Sequence, residues 1–430
     1  MRPVYMISGG ITRFAKAHRD KDFRLMVKEA FDYAVADVPG LGREMIDGSV
    51  YAYFSDHFTR QAHAGAMVQD YLGLCPRPSR RIEGGGATGG LCFQTSWEAV
   101  ASGRMEICLA MGFETMSRVS TWKGNEFIAL ASDTNFDYPV GGFYTGYYAM
   151  MVRRHMHEFG TTVEQMAKVA VKNHRNALHN PYAQSPGRLT IEEVRSSPMV
   201  ATPLTMLDCC QMSDGAAVAV LASEEAAQRV CLQPVKITGL GCGTDTMRMA
   251  DRPHGKVILL PHESEEDYRE LRYPAVHSFR GGRIAAKQAY AMAGISDPSK
   301  ELDFVELHDA YTSSEIQTCE DLGLCRYGEG GKFIDGGASF MPEIDYGLAF
   351  TGGYGKNVPV NPSGGLLACG HPVGATGLMQ AVFAFWQLQG TIGTHLRDAT
   401  LQVKGAKRGL IHSHAGTGTD IAVTIMERAQ

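Results

Sequence analysis

No two cysteines in the 430 residues stand as C-x-x-C, and only Cys209 and Cys210 are adjacent. Structural zinc is ordinarily held by closely paired ligands, so no metal site built by this chain alone is expected. Ten cysteines are also too few for a disulfide scaffold, and most read as small buried hydrophobes. A dense run of lysine and arginine is missing as well. With 41 Lys+Arg against 46 Asp+Glu, the formal net charge of −5 argues against nucleic acid as the main partner. It leaves room for a local basic lip toward a phosphorylated cofactor. No apolar run reaches membrane-spanning length, and the start MRPVYMISGG has no long apolar signal region, so a cytoplasmic chain off the membrane is expected. What remains is 44% hydrophobic and 20% charged, an ordinary soluble globular composition with length for two domains or two halves.

Against these absences stands one unusual presence, Asn361 to Gly377, NPSGGLLACGHPVGATG. Its seventeen residues hold five glycines, two prolines and a single histidine, His371, between Gly370 and Pro372. Glycine gives up the most backbone entropy on ordering, so such a stretch is not expected inside an ordinary strand or helix. It suits a place where backbone approaches something closely or aims N–H groups at a ligand. The run Leu378 to Leu388 is apolar on nearly every face and predicts a buried helix, which sets His371 on a glycine turn just before a core helix.

Further organisation follows from periodicity. Val4–Gly10 predicts a first strand, Phe23–Val38 a helix, and Val50–Phe54 a strand leading into the loop Ser55-Asp56-His57. His57 and His63 are candidates to face a pocket, though surface or helix-end histidines are the commoner case. Ile82–Phe93 (IEGGGATGGLCF) is followed by a helix and the buried strand Ile107–Phe113. Gly86-Ala87-Thr88-Gly89 repeats as Gly374-Ala375-Thr376-Gly377, each copy followed by a helical run and a glycine at similar distance, Gly103 and Gly390. This reads as the trace of a duplication, with two α/β halves bringing both glycine turns to one cleft. Residues 118–150 are irregular and aromatic-rich, suited to a loop subdomain (about 118–200) over a site or to plain core. Thr161–His179 predicts a helix with a capping box from Thr162 to Gln165. Pro203–Ser223 passes from polar loop to buried strand. The halves are placed at 1–228 and 229–430. In the second, Val235–Leu240 and Leu302–Leu307 predict strands, Gly281–Ala293 and Ser313–Leu322 helices, and Asp251–Tyr273 an exposed excursion. Phe340–Val360 predicts a loop, and Gly409–Glu427 two strands joined by a glycine turn.

Four segments share one character: Gly84–Gly90, His308–Tyr311, Gly370–Gly377 and His412–Gly418. Each ends an apolar strand or begins a core helix, where α/β proteins place their chemistry. Three carry histidine, which works as a general acid or base near neutral pH and, when neutral, donates a hydrogen bond to an oxyanion. The glycine turns supply unobstructed N–H groups to the same end. A metal bound by His308, His371, His412 and His414 is the weaker alternative, because no carboxylate stands at companion spacing.

EGGGATGGLCF, AMGFETMS, MLDCCQMSDGAA, HDAY, NPSGGLLACGHPVGATG and HAGTGTD, in that order over nearly the whole chain, resemble the thiolase superfamily. Within it they are most similar to sterol-carrier-protein-type thiolases and their cysteine-lacking relatives. The resemblance implies a five-layered αβαβα fold of duplicated halves, dimers or tetramers, and action on acyl-CoA esters, with coenzyme A a substrate and no bound cofactor. It makes His371 the base that activates a reacting thiol and puts His308 at the oxyanion-binding place of the thioester carbonyl. The backbone N–H groups of Gly86 and Gly416 would form a second oxyanion hole. Tyr311, His57 and His412 are further possible site residues.

Two departures from the resembling family alter the expected chemistry. Its acyl-accepting cysteine belongs at position 86, which is glycine here, and Cys92 lies six residues on inside a helix. Its second cysteine, the acid/base of the final motif, is replaced by His414. A glycine cannot be acylated, so the two-step route through an acyl-enzyme at that position is excluded. Three readings follow. In the first, His371 activates the thiol of coenzyme A for direct thiolysis of a 3-oxoacyl-CoA, with His414 protonating the leaving enolate. Loss of the cysteine side chain is expected to open room at Gly84–Gly86 for a bulky, branched or aromatic acyl group. The second is a retro-aldolase on a 3-hydroxyacyl-CoA, with Tyr311 or a histidine as base. The third is a non-catalytic acyl-CoA-binding subunit. The resemblance also suggests a homodimer core and a small partner carrying a zinc ribbon and an OB-fold.

Overall fold

The computed structural model describes residues 1–253, 255–271 and 276–429. Its eleven described strands are β1 (Val4–Ile11), β2 (Gly48–Ala52), β3 (Ser79–Ile82), β4 (Ile107–Thr115), β5 (Met199–Ala201), β6 (Leu204–Thr205), β7 (Asp214–Ser223), β8 (Val235–Thr244), β9 (Phe304–Glu306), β10 (Arg408–Ala415) and β11 (Asp420–Arg428). Nine of them run in the order β3-β2-β4-β7-β1-β8-β11-β10-β9, and β5 and β6 pair apart. The two halves of the long sheet meet through a short antiparallel contact, Tyr5 opposite Lys236 and Met6 opposite Val235. Strands β1, β4 and β7 are buried along their whole length, as strands covered on both faces must be.

Helix placement supplies the layers. Phe23–Ala36 lies on β1 and β7 outside the first half, and Arg280–Ala293 lies on β8 and β11 outside the second. Between them run Thr88–Ala101 and Val373–Gln389, which pack on each other and on strands of both halves. The order is helix, sheet, helix pair, sheet, helix, the αβαβα arrangement. The Val373–Gln389 helix is buried on every face from Val373 to Leu388, matching its apolar sequence.

Several expectations shift. The GATG segments are built into the starts of the two central helices: Gly86 and Ala87 lie in a 3₁₀ turn that leads into Thr88–Ala101, and Gly374–Gly377 lie within the start of Val373–Gln389. A Cβ on Gly89 would lie 2.7 Å from the Gly377 nitrogen, and one on Gly377 2.3 Å from the Gly90 nitrogen. Their glycines permit helix contact closer than any side chain allows. Gly365–Cys369 also forms one helical turn, entered through Gly364 at φ 101°. Residues 118–150 are irregular only in part: 130–143 form turns, but the stretch also holds the helix Thr121–Ala129 and the start of Tyr144–Phe159. In the latter, buried Tyr147, Tyr148, Met151, Val152 and His155 follow helical spacing that the aromatic composition hid. The capping box of Thr162 and Gln165 forms and starts the helix Val163–Ala177. The helix Glu224–Val230 runs through the expected boundary at 228, and the chain crosses to the second half just before Val235. In the excursion 251–273, Glu265, Glu266 and Asp267 are exposed but Tyr268 is half-buried and Arg252 buried, and His254, Arg272 and Tyr273 lie outside the described residues.

Candidate active site

The cavity of about 160 Å³ between the halves is lined by Gly86, His308, Tyr311, His371, His414 and Gly416, together with Phe54, Met116, Ile128, Tyr144, Tyr148 and Met212. His371 leaves Gly370, a glycine at φ 117° that an L side chain would not tolerate. Its backbone N–H donates to Ser213 Oγ at 2.9 Å. Two groups then fix the ring. His371 Nδ1 lies 2.8 Å from Thr376 Oγ1, and that hydroxyl donates to the Pro372 carbonyl at 3.0 Å. Because the hydroxyl hydrogen is spent on Pro372, the ring contact is Nδ1–H donating to Thr376. Nε2 is left as an acceptor. Burial pulls His371 below the ordinary imidazole value, to about 4, so it stays neutral at physiological pH, with Nε2 unprotonated and open to accept.

His308 follows β9 and meets both partners. Its ring centroid is 4.9 Å from that of His371 at right angles and 4.4 Å from that of His414. Burial first, and then the neighbouring imidazoles, hold His308 well below its usual range. His414 near the end of β10 is lowered for the same first reason, with His412, His371 and Arg252 adding to it. Three neutral imidazoles therefore converge. Such a group offers lone pairs and N–H donors without net charge.

The His308 turn and the NPSGG turn are one unit held from behind. Asn361 Oδ1 accepts from the Leu307 N–H at 2.8 Å, and Asp309 accepts from the Leu366 N–H at 2.6 Å and from Asn173 Nδ2 at 2.7 Å. Fully buried Lys172 pairs with Glu315 at 2.6 Å, and Glu315 also accepts from Asn173 and Asn361, each at 3.1 Å. Removing one partner of so buried a pair leaves a charge without solvation. On the other side, buried Glu114 accepts from the Gly374 N–H at 3.1 Å and the Phe54 N–H at 2.8 Å, and burial raises its carboxyl to about 8.

Gly86 carries the main correction. A Cβ there would stand 2.4 Å from the His414 carbonyl oxygen and 3.0 Å from His308 Cε1. A Cβ on Gly84 would meet Leu91 at 2.3 Å. The missing cysteine has not opened room at Gly84–Gly86, because protein atoms already fill it. The apolar part of the cavity lies instead against Phe54, Met116, Ile128 and Met212. Cys92 is buried in its helix with Sγ 3.3 Å from the Val50 carbonyl, away from the cavity.

Of the further candidates, Tyr311 lines the cavity, 3.1 Å from Thr145 Oγ1, but burial pushes its hydroxyl well above the ordinary value and makes it a poor base. His412 does not line the cavity. It lies behind His308, accepting that residue's backbone N–H at 3.4 Å. His57 is exposed and stacks on Phe127 at 4.7 Å, in a neighbouring groove with Arg81 and Glu83. His63 is likewise exposed, at the head of the helix Ala64–Tyr71. Sequence reasoning did not single out Tyr148, whose hydroxyl lies 2.5 Å from His414 Nε2, nor the thiols of Cys209 and Cys210 on the cavity wall. Burial raises both thiols, Cys209 to about 12, so neither is a ready nucleophile. The aromatic spacing of Tyr144–Phe159 was the available signal for Tyr148. No group of three or more potential metal ligands occurs among the described residues.

Layers, duplicated glycine turns and a histidine-lined cleft between halves define a thiolase-type α/β protein. Residues 4–225 match the family described as Thiolase, N-terminal domain, and residues 267–428 match Thiolase C-terminal domain-like. The chain belongs to the thiolase family. It is 37% identical to an acetyl-CoA acetyltransferase of Methanothermobacter thermautotrophicus, covering 100% of each chain. It is 30% identical to the benzoylsuccinyl-CoA thiolase subunit BbsB of Thauera aromatica, over 90% of this chain and 89% of that one. Among solved structures it is similar to the Ltp2-ChsH2(DUF35) aldolase, with a TM-score of 0.76, 25% identity, and 99% and 98% of the two chains covered.

Proposed function

We propose that the chain catalyses carbon–carbon bond cleavage or formation of thiolase type on an acyl-CoA, without a cysteine-bound acyl intermediate. The observation that carries this reading is the convergence of His371, His308 and His414 on a cavity whose Gly86 wall has no room for a cysteine. In cleavage, His371 Nε2 takes the proton of the coenzyme A thiol and the sulfur attacks the C3 carbonyl. The C2–C3 bond breaks, a shortened acyl-CoA forms, and the second fragment leaves as an enolate that is protonated at C2. His308 and the N–H groups of Gly86 and Gly416 hold the oxyanions, and His414 exchanges the proton at C2. The apolar and aromatic lining suits a bulky or aromatic 3-oxoacyl group, and the likeness to BbsB agrees with it. Coenzyme A acts here as substrate rather than as a bound cofactor.

A second reading, a retro-aldolase on a 3-hydroxyacyl-CoA, is favoured by the absence of a nucleophile at position 86 and by the likeness to a solved aldolase. In it a histidine removes the 3-hydroxyl proton and the same enolate leaves. We further propose a cytoplasmic homodimer core with a small zinc-ribbon/OB-fold partner. Supporting this, BbsB is described as a subunit and the solved aldolase as Ltp2-ChsH2(DUF35). Product analysis with an aromatic 3-oxoacyl-CoA and a 3-hydroxyacyl-CoA, each with and without free coenzyme A, decides between the readings. Cleavage of the first only when coenzyme A is added is expected. Release of a ketone or aldehyde from the second without coenzyme A would establish the aldolase, and turnover of neither would leave an acyl-CoA-binding subunit.

A further inference from the structure

We infer that Tyr148 sets the tautomer of His414, holding the ring proton on Nε2 and leaving Nδ1 as the proton-accepting nitrogen. The consequence for catalysis rests on the acid–base role proposed above for His414; the tautomer itself does not. Tyr148 Oη lies 2.7 Å from the Gly416 carbonyl oxygen and 2.5 Å from His414 Nε2. A carbonyl only accepts, so the single hydroxyl hydrogen goes to Gly416. The ring contact is then Nε2–H donating to Oη. The reverse assignment would leave two oxygens 2.7 Å apart with no hydrogen between them. A neutral imidazole carries one N–H, so Nδ1 is bare.

Three further observations agree. His414 Nδ1 is buried and has no hydrogen-bond partner among the described residues, and the ring lines the cavity. The Gly416 turn is anchored from below by Arg252, whose Nη2 donates to the Thr417 carbonyl and, at 2.9 Å, to Thr417 Oγ1. That anchor keeps the Gly416 carbonyl where Tyr148 meets it. The Tyr148 ring is itself held, with its centroid 4.3 Å from that of Tyr311.

His414 therefore enters the reaction as an acceptor and not as a loaded acid. In the condensation direction Nδ1 takes a proton from C2 of the acyl-CoA and the C–H electron pair becomes the enolate. The imidazolium that forms keeps Nε2–H on Tyr148 throughout. In cleavage the proton that His371 removes from the coenzyme A thiol reaches Nδ1 and passes from there to C2, so that proton gain and loss balance over the cycle. Tyr148 is thus a positioning residue, and no second proton donor is required.

Nitrogen-15 NMR of the histidine-labelled full chain, with His414 assigned by its loss in His414→Asn, reads the tautomer directly. The Nε2–H pattern is expected in the wild type and its loss or mixing in Tyr148→Phe, which keeps the ring packing. The second measurement is exchange of the C2 hydrogens of acetyl-CoA in D₂O, with no other substrate. Tyr148→Phe is expected to slow exchange about tenfold or more with KM unchanged, within the range of general acid–base effects. An Nδ1–H pattern in the wild type, or a variant with unaltered pattern and exchange, overturns the inference. Should the pattern be as assigned while the wild type exchanges nothing, the tautomer stands and the proposed acid–base role of His414 falls.

Discussion

The two GATG turns begin as near copies and end with different work. Both open a central helix, both helices end near a left-handed glycine (Gly103 at φ 79°, Gly390 at φ 76°), and the turns touch through Gly89, Gly90 and Gly377. Three residues before the second GATG stands His371, its ring tied to Thr376 and its Nε2 free to accept. Three residues before the first stands Glu83, which accepts from the Gly85 N–H at 2.7 Å and faces the neighbouring groove. Backbone contact between helices is shared by both copies because it is geometric, whereas the reacting side chain belongs to one. Position 86, the first glycine of its GATG, is closed by protein from the other half.

The comparison can be tested, from the largest expected effect down. His371→Ala removes the only imidazole on either turn, and kcat for coenzyme A-dependent cleavage should fall by about 10²–10⁴-fold, as for loss of a general base, by steady-state assay. A variant retaining near-wild-type thiolysis would remove His371 from the mechanism. Gly86→Cys tests whether the first turn accepts the missing thiol. With His414 O 2.4 Å from the new Cβ, activity should drop more than about tenfold. Intact mass spectrometry should show no acylated protein on incubation with substrate, and a stable acyl adduct would refute the closed-wall description.

Two stability measurements separate contact from conformation. Gly377→Ala forces a methyl against the Gly90 nitrogen at 2.3 Å and should cost about 1–3 kcal/mol in urea unfolding. Gly390→Ala meets nothing within 4 Å, so only its left-handed backbone matters, for about 1 kcal/mol. Equal losses would show that the helix contact is not tight. The pH profile supplies the finest test. Free His371 must be neutral to act as a base, and burial lowers it to about 4, so protonation should inactivate the enzyme only well below pH 6.5. The acid limb of kcat/KM should accordingly lie nearer 4 than 6.5; a limb at 6.5 or above would mean that His371 is not so buried in the working state.

Much of this was legible beforehand because it rests on local rules. The GATG repeat and its two following glycines announced the duplication, and the capping box of Thr162 and Gln165 marked its helix start. His371, His308, His414, Gly86 and Gly416 do meet at one cavity. Other features were hidden for physical reasons. Aromatic residues at helical spacing in Tyr144–Phe159 looked irregular, since Tyr and Phe carry strand preference while the packing imposed a helix. His412 and His414 stand two apart on one strand and share a face, so alternation could not tell which reaches the cavity.

By itself, the sequence determined the duplicated halves, the buried central helices and the histidines available for chemistry, because periodicity and glycine placement act through the local backbone. Only the tertiary structure decided that position 86 is closed, since the His414 carbonyl and the His308 ring come from the other half of the chain. It alone decided which nitrogen of each ring is free. That depends on where a hydroxyl such as Thr376 or Tyr148 sends its single hydrogen, and the receiving carbonyls of Pro372 and Gly416 meet those hydroxyls only in the folded chain.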